Sequence, residues 1–520
     1  MHMLTKYALK YGPFFPYIFI FGYFLFKSLH FPLHDFGNSY FGAYLFLKGK
    51  FDLGIFDPYT FNKRIFEEGF SSIFASYNPN PPSVSLLFIP FALLNPFWAK
   101  LTFNVLSSAL FLISLYQFCA HRSFDKRYLA ALPFLFFVPI GNNLLFGQSY
   151  LLLVSLLLFG FMAYEKEKRF LFSILWALAI FIKVFPIVLF VFVLFKRDWK
   201  SFLSLFMACL FLLGCCVLLQ GGKVWHFYFF HVLPQNSQGN ISSSYVVSYQ
   251  SFYMFFKYLF VKEPLLNPSP FVDSVYTFQF LLAIIKGILA AFACTVIFKK
   301  KSLFAFGFLF LCSLLFMPYG SSYGSILLLP LYVACLSELK PVRLFIISVL
   351  VFLISNLNVG YFHLLPPPLQ FPRLFLLTVF FVYVCFSMAI FPPWKWIAFC
   401  SFIFMMTIDW TSPNLKSKES LLVNSEHHLL LFDYGVEKGT LYYDYWNDKG
   451  PNRQYTSLKI ASVSDEGIKL QDNQVFFHHR QLTFSSGTKL KPKRFGNRLV
   501  YLSDQGHGQG FYALWSVPIQ

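Results

Sequence analysis

One acidic residue stands apart in this sequence because of where it lies. Asp35 directly follows His34, shortly after the first long apolar run (11–28) and before an amphipathic run that begins at Tyr40. A carboxylate at a membrane boundary can take a proton from a hydroxyl of a substrate that is polar at one end and lipidic at the other. Asp35 is therefore our candidate general base. The alternative is that its side chain caps the N-terminus of a helix over 38–48.

Two further polar residues lie where apolar runs meet water. Lys183 lies at the outer turn of a tight apolar hairpin, where a lysine is costly unless it pairs with an anion or extends its ammonium to the membrane surface. Gln148 follows Gly147 at the start of the apolar run 148–164, and a buried polar cap is the alternative to a role in binding. Both residues are candidates for contact with a substrate.

Other polar groups fall on the same predicted side of the membrane, namely Gln250, Arg373 and the segment 319–323, which ends in Tyr323. No His, Cys or acidic spacing matches a metal site, and no nucleotide-binding or serine-hydrolase motif is present. We therefore predict neither a metal nor a cofactor.

The elements that position these residues must be membrane helices. The chain of 520 residues is 57% hydrophobic and only 12% charged, whereas soluble domains carry about 25% charged residues. A span needs about 20 apolar residues, or somewhat fewer inside a bundle, so we predict about 12 to 14 spans. Residues 81–95 would be a short span or a helix in the interface. The predicted spans lie near 11–28, 97–119, 128–142, 148–164, 169–183, 184–196, 200–220, 274–298, 302–317, 322–337, 342–359, 372–391 and 394–410.

The net charge of +19 does not indicate nucleic-acid binding, because the basic residues form short clusters between apolar runs. All clusters fall on one side of the predicted topology, which is typical of cytoplasmic loops and puts the N-terminus in the cytoplasm. Four long segments then lie outside the cell membrane: 29–96, 221–273, 360–371 and 411–520. The clusters are Lys6/Lys10, Arg122/Lys126/Arg127, Lys166/Lys168/Arg169, Lys196/Arg197/Lys200, Lys299–Lys301, Lys340/Arg343 and Lys395.

The last segment differs from the rest of the chain. Residues 411–520 are polar, with short alternating runs separated by turn sequences such as the one at 447–451, which is typical of β-strands. We predict a mainly α transmembrane bundle over 1–410, with the first outer loop 29–96 carrying the catalytic residue. A small β-rich extracytoplasmic domain over 411–520 would follow.

The order of several motifs resembles glycosyltransferase family 87, in the GT-C superfamily of polyprenyl-phosphate-sugar-dependent transferases. The resemblance covers about residues 30–330 and does not include the tail. The motifs are Asp35-Phe-Gly-Asn-Ser-Tyr with Phe56-Asp-Pro-Tyr, Tyr77-Asn-Pro-Asn-Pro-Pro, Gly147-Gln-Ser-Tyr, Ala177-Leu-Ala-Ile-Phe-Ile-Lys-Val-Phe-Pro, Tyr249-Gln-Ser-Phe and Phe316-Met-Pro-Tyr.

The resemblance implies a hexosyltransferase that moves a sugar, most often mannose in this family, from a polyprenyl phosphate to a glycan, glycolipid or protein on the outer face of the membrane. Asp35 aligns with the family's catalytic aspartate and would activate the acceptor hydroxyl for attack with inversion. Lys183, and next Arg373, would stabilise the leaving phosphate. Gln148 and Gln250 would orient sugar hydroxyls. A monophosphate donor does not require a divalent ion.

His34 and Tyr323 complete the set of candidates for donor binding. Tyr323 stands where the family usually has a histidine, and a tyrosine is a poor proton shuttle near neutral pH. Two other interpretations stay open. One is a transporter or flippase for a lipid-linked sugar, although we find no inverted repeat of the kind such proteins often have. The other is a degenerate membrane scaffold that presents the β-rich domain.

Overall fold

The computed structural model describes residues 12–120, 122, 124, 127–239, 245–263, 266–408, 419–424, 430–447, 449–460, 463–485, 487–505 and 508–519. The predicted cytoplasmic N-terminus, Lys126 of one basic cluster and the start of the predicted tail domain lie outside these residues. The α-helices are Phe15–Ser28, Asp35–Leu47, Pro58–Glu67, Ser83–Leu87, Ile89–Ala92, Pro96–Ala120, Arg127–Leu135, Phe137–Phe146, Tyr150–Glu165, Arg169–Ile182, Val188–Phe195, Trp199–Gln220, Gly222–Phe227, Leu233–Ser237, Phe252–Phe260, Val275–Lys299, Ser302–Phe316, Leu329–Glu338, Pro341–Asn356, Pro372–Ser387 and Trp394–Met405. Short 3₁₀ segments occupy Gly12–Phe14, Leu53–Phe56, Phe185–Ile187, Ser322–Leu328, Val359–Phe362 and Pro367–Gln370, and a π-helical turn occupies Tyr228–Val232.

The predicted mainly α fold with a β-rich C-terminal region is confirmed. Among the described residues, three helices are long and apolar enough to cross a membrane, and a bent pair at 128–146 forms a fourth candidate; nine further apolar helices have 10–17 residues. The number of crossings stays a prediction. Residues 83–92 form two helices of five and four residues, which together rise only about 14 Å, so this stretch is too short to cross the hydrocarbon layer as a helix.

The bent pair of helices shows how side chains in the bundle form hydrogen bonds to backbone groups that have no partner within their own helix. Pro133 and Pro139 have no N–H to donate, which leaves the carbonyls of Leu129 and Leu135 without their helical partners. The hydroxyl of Tyr17 donates to Leu129 O at 3.0 Å. The amide of Asn356 donates to Leu135 O at 2.9 Å and accepts from the N–H of Val138 at 3.0 Å. The helix is bent by 55° between its two halves. Lipid offers no hydrogen bonds, so these side chains from other helices satisfy the backbone groups that the bend leaves free.

The first outer loop is compact and built on the Asp35–Leu47 helix. The Tyr77 ring lies so close to this helix that a Cβ on Gly42 would be 2.1 Å from it. The hydroxyl of Tyr77 donates to Pro81 O or Pro82 O, each at 3.1 Å, and accepts from the N–H of Ser85. The rigid proline segment at 79–82 is thereby fixed against the helix that begins at Asp35.

The strands of the C-terminal region are β1 Ser420–Val423, β2 Leu430–Glu437, β3 Thr440–Asn447, β4 Gly450–Lys459, β5 Val463–Ser464, β6 Ile468–Gln471, β7 Gln474–Phe477, β8 Arg480–Gln481, β9 Lys489–Phe495, β10 Arg498–Ser503 and β11 Ala513–Pro518. Within the described residues they form three antiparallel sheets. The central sheet has the order β1-β11-β10-β9-β5 and is covered by β2-β3-β4 and by β6-β7-β8. Because β10 is covered on both sides, all residues from Leu499 to Ser503 are buried.

The β-rich region packs directly on the first outer loop. Tyr59 stacks on Phe432 with ring centroids 4.4 Å apart. Trp446 packs edge-on against Phe66 at 5.3 Å, and Phe511 joins the same apolar cluster. Aromatic pairs of this kind add stability beyond the area that they bury. The tail and the loop that carries Asp35 therefore lie on the same side of the molecule.

Candidate functional site

Asp35 is the first residue of its helix. The helix begins at Asp35 and not at 38, and His34 occupies the capping position with φ 49° and no capping bond from its side chain. The alternative that Asp35 acts as an N-cap is therefore wrong. The positive end of the helix dipole instead favours a negative charge on this carboxylate.

The carboxylate of Asp35 accepts a hydrogen bond from the side chain of Gln148. Gln148 Nε2 donates to Asp35 Oδ2 at 2.5 Å, and His34 Nδ1 lies 3.3 Å from Asp35 Oδ1. Burial raises the pKa of Asp35, but hydrogen bonds from His34 and Gln148 and the positive charges of His34 and Lys183 outweigh it and hold the pKa below its usual value. Asp35 is therefore ionised at neutral pH, as a general base must be.

A glycine brings Gln148 to this position. Gly147 ends the Phe137–Phe146 helix in the left-handed conformation, with φ 66°, which favours glycine over residues with a Cβ. A Cβ on Gly147 would also lie 2.5 Å from the Cβ of Phe36. The turn and the Asp35 helix thus approach each other more closely than any other residue would permit.

Lys183 approaches the same carboxylate from another helix end. It follows the Arg169–Ile182 helix, its charge acts on Asp35, and its Nζ lies 5.9 Å from the centre of the Tyr150 ring. Its backbone N–H donates to Ala179 O at 3.1 Å, but its ammonium forms no hydrogen bond and no ion pair with the described residues. Lys183 is thus a half-buried cation beside the candidate base that remains available to an anion.

Several tyrosines lie near the Asp35 carboxylate. The rings of Tyr150 and Tyr323 are 5.3 Å apart, and both side chains interact electrostatically with Asp35 and with Tyr249. Tyr249 in turn packs edge-on against Tyr319 at 5.3 Å. Tyrosine combines an apolar ring face with a hydroxyl, and a sugar offers the matching apolar faces and hydroxyl groups.

Lys100 is a residue that our sequence analysis missed. It is only 3% exposed, and its ammonium donates to the carbonyls of Phe31, Pro32 and Leu145 at 3.3, 2.6 and 2.7 Å. Two of these carbonyls lie four and three residues before Asp35, and the third lies three residues before Gln148. Lys100 therefore holds the two halves of the Asp35–Gln148 pair together.

Asn104 lies one turn after Lys100 on the Pro96–Ala120 helix. Its uncharged side chain also links the segment before Asp35 to the segment before Gln148. Its amide donates to Ser28 Oγ and to Leu144 O, both at 2.8 Å. A signal for Lys100 existed in the sequence, because a lysine inside the apolar run 97–119 is as costly as Lys183. For Asn104 no comparable signal exists.

Gln250 and Arg373 form a separate network. Gln250 is fully buried; its amide donates to Val247 O and Gln370 O at 2.7 and 2.8 Å, and its side-chain oxygen accepts from the N–H of Arg373 at 3.1 Å. Arg373 donates to Ile354 O and Leu357 O at 3.0 and 2.8 Å. Both amide hydrogens of Gln250 are thus used by the protein.

The guanidinium of Arg373 is 3% exposed, and its Nη1 has no hydrogen-bond partner among the residues that the structure describes. The structure brings together Asp35, His34, Gln148, Lys183 and Tyr323, but it gives neither Gln250 nor Arg373 a contact with that group. Their predicted roles in donor binding stay predictions. The described part of the chain contains no group of three or more His, Cys, Asp or Glu side chains that could hold a metal ion.

Comparison with known proteins identifies one family. No curated protein and no solved structure matches the chain. Residues 78–322 match the model of glycosyltransferase family 87, a range that contains Gln148, Lys183 and Gln250 but ends before Tyr323 and Arg373 and begins after Asp35. Just under half of the chain is therefore similar to glycosyltransferase family 87, and this match, together with the apolar helices, supports a membrane glycosyltransferase.

Proposed function

We propose that the protein transfers a sugar, with mannose as the first candidate, from a polyprenyl phosphate to a hydroxyl of a glycan, glycolipid or protein. The reaction would occur on the extracytoplasmic face of a cell membrane, such as a bacterial inner membrane. The observation that carries this proposal is the meeting of an ionised carboxylate, Asp35, with an available cation, Lys183, beside a group of tyrosines.

In the proposed reaction the acceptor oxygen attacks the anomeric carbon of the donor sugar. Asp35 takes the proton of the acceptor hydroxyl, the bond between the anomeric carbon and the phosphate oxygen breaks, and polyprenyl phosphate leaves with its electron pair. Lys183 stabilises the negative charge that develops on the phosphate. Gln148 keeps the Asp35 carboxylate oriented toward the acceptor.

The environment of Asp35 supports a single displacement with inversion. A retaining mechanism by double displacement needs a second carboxylate about 5–5.5 Å from the first. The described residues that act electrostatically on Asp35 include His34 and Lys183 but no second carboxylate. A one-step displacement requires only one carboxylate as the base.

The test uses membranes that contain the full chain and a set of radiolabelled polyprenyl-phosphate sugars. We expect labelled product with the natural sequence and a loss of about 10²–10⁴-fold in Asp35→Asn, with normal expression. Asp35→Glu is the matched control, because it keeps the base and should retain part of the activity. Unchanged transfer by Asp35→Asn would remove Asp35 from its role.

The rival function, a flippase for a lipid-linked sugar, gives a different result in the same membranes. A flippase would move the labelled donor between the two leaflets without forming a new glycosidic bond. Translocation that persists in Asp35→Asn, with no labelled product in either variant, would favour that rival.

A further inference from the structure

Three distant parts of the chain meet at Asn78. The Asn78 side chain is fully buried, and its Nδ2 donates to the backbone carbonyl of Gln509 in the tail at 3.0 Å. The backbone carbonyl of Asn78 accepts from Asn236 Nδ2 at 3.2 Å. The first outer loop, the segment 221–273 and the β-rich region are thus joined at one point.

Four polar oxygens at this junction are buried and have no hydrogen-bond partner within the described part of the chain: Ser76 Oγ, Asn78 Oδ1, Asn236 Oδ1 and Gln509 Oε1. Ser76 is 9% exposed, and only its backbone N–H is bonded, to Asn38 Oδ1 at 2.8 Å. Buried polar atoms in native proteins are nearly always paired, so these four oxygens can accept hydrogen bonds from a bound ligand or from water.

The chemistry of these atoms restricts what that partner is. Three of them are amide oxygens, which only accept hydrogen bonds, and the fourth is a hydroxyl. None of the four groups carries a charge. They match the hydroxyls of a neutral sugar, whereas a phosphate or a carboxylate would bring a further set of acceptors and a charge with nothing here to pair with it.

The junction also lies near the candidate base. Asn38 follows Asp35 by three residues on the same helix, so the two side chains lie on one face, and Asn38 holds Ser76 directly. A path therefore leads from Asp35 along this helix face to Ser76 and on to the other three oxygens.

We infer that Ser76, Asn78, Asn236 and Gln509 form a subsite that binds the hydroxyls of a neutral oligosaccharide acceptor, next to the hydroxyl that Asp35 deprotonates. This inference rests on the proposed function and gives the β-rich region a role in it, which is to complete the acceptor site through the loop that contains Gln509.

Two substitutions test the subsite without breaking a hydrogen bond between described residues. Ser76→Ala removes the unpartnered hydroxyl, and Gln509→Met replaces the amide with an apolar group of similar size while the backbone carbonyl stays. Ser108→Ala is the matched control, because Ser108 in the Pro96–Ala120 helix is also a buried serine whose Oγ has no partner among the described residues.

The experiment measures the thermal unfolding midpoint of the full-length chain in detergent with increasing mannotriose, maltotriose or galactotriose, and with inorganic phosphate as the anionic comparison. We expect at least one trisaccharide to raise the midpoint of the natural sequence. Ser76→Ala and Gln509→Met should then need about 3- to 10-fold more of it, as expected for one lost hydrogen bond. Ser108→Ala should respond like the natural sequence.

Several results would overturn the subsite: no response of the natural sequence to any trisaccharide, a response to phosphate alone, or equal responses of all four proteins, which would mean that the four oxygens are simply hydrated. The proposed function is judged separately. Asp35→Asn should keep the trisaccharide response and lose sugar transfer; if it keeps transfer, the proposed function fails, whatever the trisaccharides show.

Discussion

The two lysines near Asp35, Lys183 and Lys100, offer a matched pair of substitutions with opposite expected results. Lys183→Met removes a cation that has no hydrogen bond or ion pair with any described residue. Lys100→Met removes a cation whose ammonium donates to three backbone carbonyls. Both changes replace a long charged side chain with an apolar one of similar length, so the difference between them reports what each charge does.

The magnitudes follow from these contacts. A hydrogen bond from a charged donor contributes about 1.5–3 kcal/mol, so losing three, with water replacing some of them, should lower the free energy of unfolding of Lys100→Met by about 3–6 kcal/mol. Lys183→Met should stay within about 1 kcal/mol of the natural sequence, because no described bond is lost. Its kcat should fall by about 10²–10³-fold, the usual effect of removing one group that stabilises developing charge.

The pH dependence provides a second measurement on Lys183→Met. The charge of Lys183 helps to keep the pKa of Asp35 below its usual value, so its loss should raise that pKa. The group that must be ionised for activity then titrates at a higher pH, and the acidic limb of the kcat/KM profile should move upward. Asn104→Ala, which breaks two uncharged hydrogen bonds between the same segments, should lower stability and leave that limb in place.

The assays are thermal unfolding in detergent and initial rates of sugar transfer from a labelled polyprenyl phosphate between about pH 3 and pH 8, a range that extends below the ordinary pKa of carboxyl groups near 4. The reasoning is refuted if Lys183→Met unfolds as early as Lys100→Met, or if it transfers sugar at the natural rate. In the first case Lys183 is structural, and in the second the leaving phosphate has no need of it.

Three further predictions concern other parts of the molecule. Gly147→Ala should reduce transfer at least 10-fold with little change in expression, since a methyl group there would strike Phe36 and move Gln148 by a few tenths of an ångström or more; transfer rates test this. Trp446→Ala should destabilise the contact between the tail and the first outer loop by about 3–5 kcal/mol, seen as faster digestion of the β-rich region by a protease, whereas digestion at the natural rate would contradict it. Burial raises the pKa of Asp504 from 3.8 to about 6, so the folded state holds the proton more tightly than the unfolded state. The free energy of unfolding of the β-rich region should therefore fall by about 2 kcal/mol as the pH rises from 4 to 7, and denaturant titrations of Asp504→Asn should lack this fall.

The sequence predicted the helices well because the apolar runs are long and the basic clusters separate them. What it could not supply was the shape of each run. Residues 128–142 read as one straight span, but the structure bends there, because Pro133 and Pro139 free two carbonyls and Asn356, more than 200 residues later, satisfies the backbone at the break. A contact over such a distance leaves no local pattern.

The same limit applies to the site. Asp35, Gln148 and Lys183 were recognisable one by one, from their positions at the ends of apolar runs, and the structure brings them together. Gln250 looked equivalent to Gln148 in the sequence. Its side-chain amide, however, donates to the backbone carbonyls of Val247 and Gln370, and these two bonds are visible only in the folded structure. Lys100 was missed because a lysine near the start of a long apolar run reads as a boundary residue rather than as the link between two loops.

The bend at 128–146 also bears on how much of this chain is needed for an enzyme. The family match ends at residue 322, but the carbonyl of Leu135 is satisfied by Asn356 and the end of that later helix is held by Arg373. A chain shortened to the matched range would present a bare peptide carbonyl to hydrocarbon, at a cost of several kcal/mol, on the same polypeptide stretch that ends at Gly147. The smallest version of this protein that can be expected to assemble therefore extends past the matched segment to at least Arg373, and on the other side it includes Tyr17, which satisfies the carbonyl of Leu129.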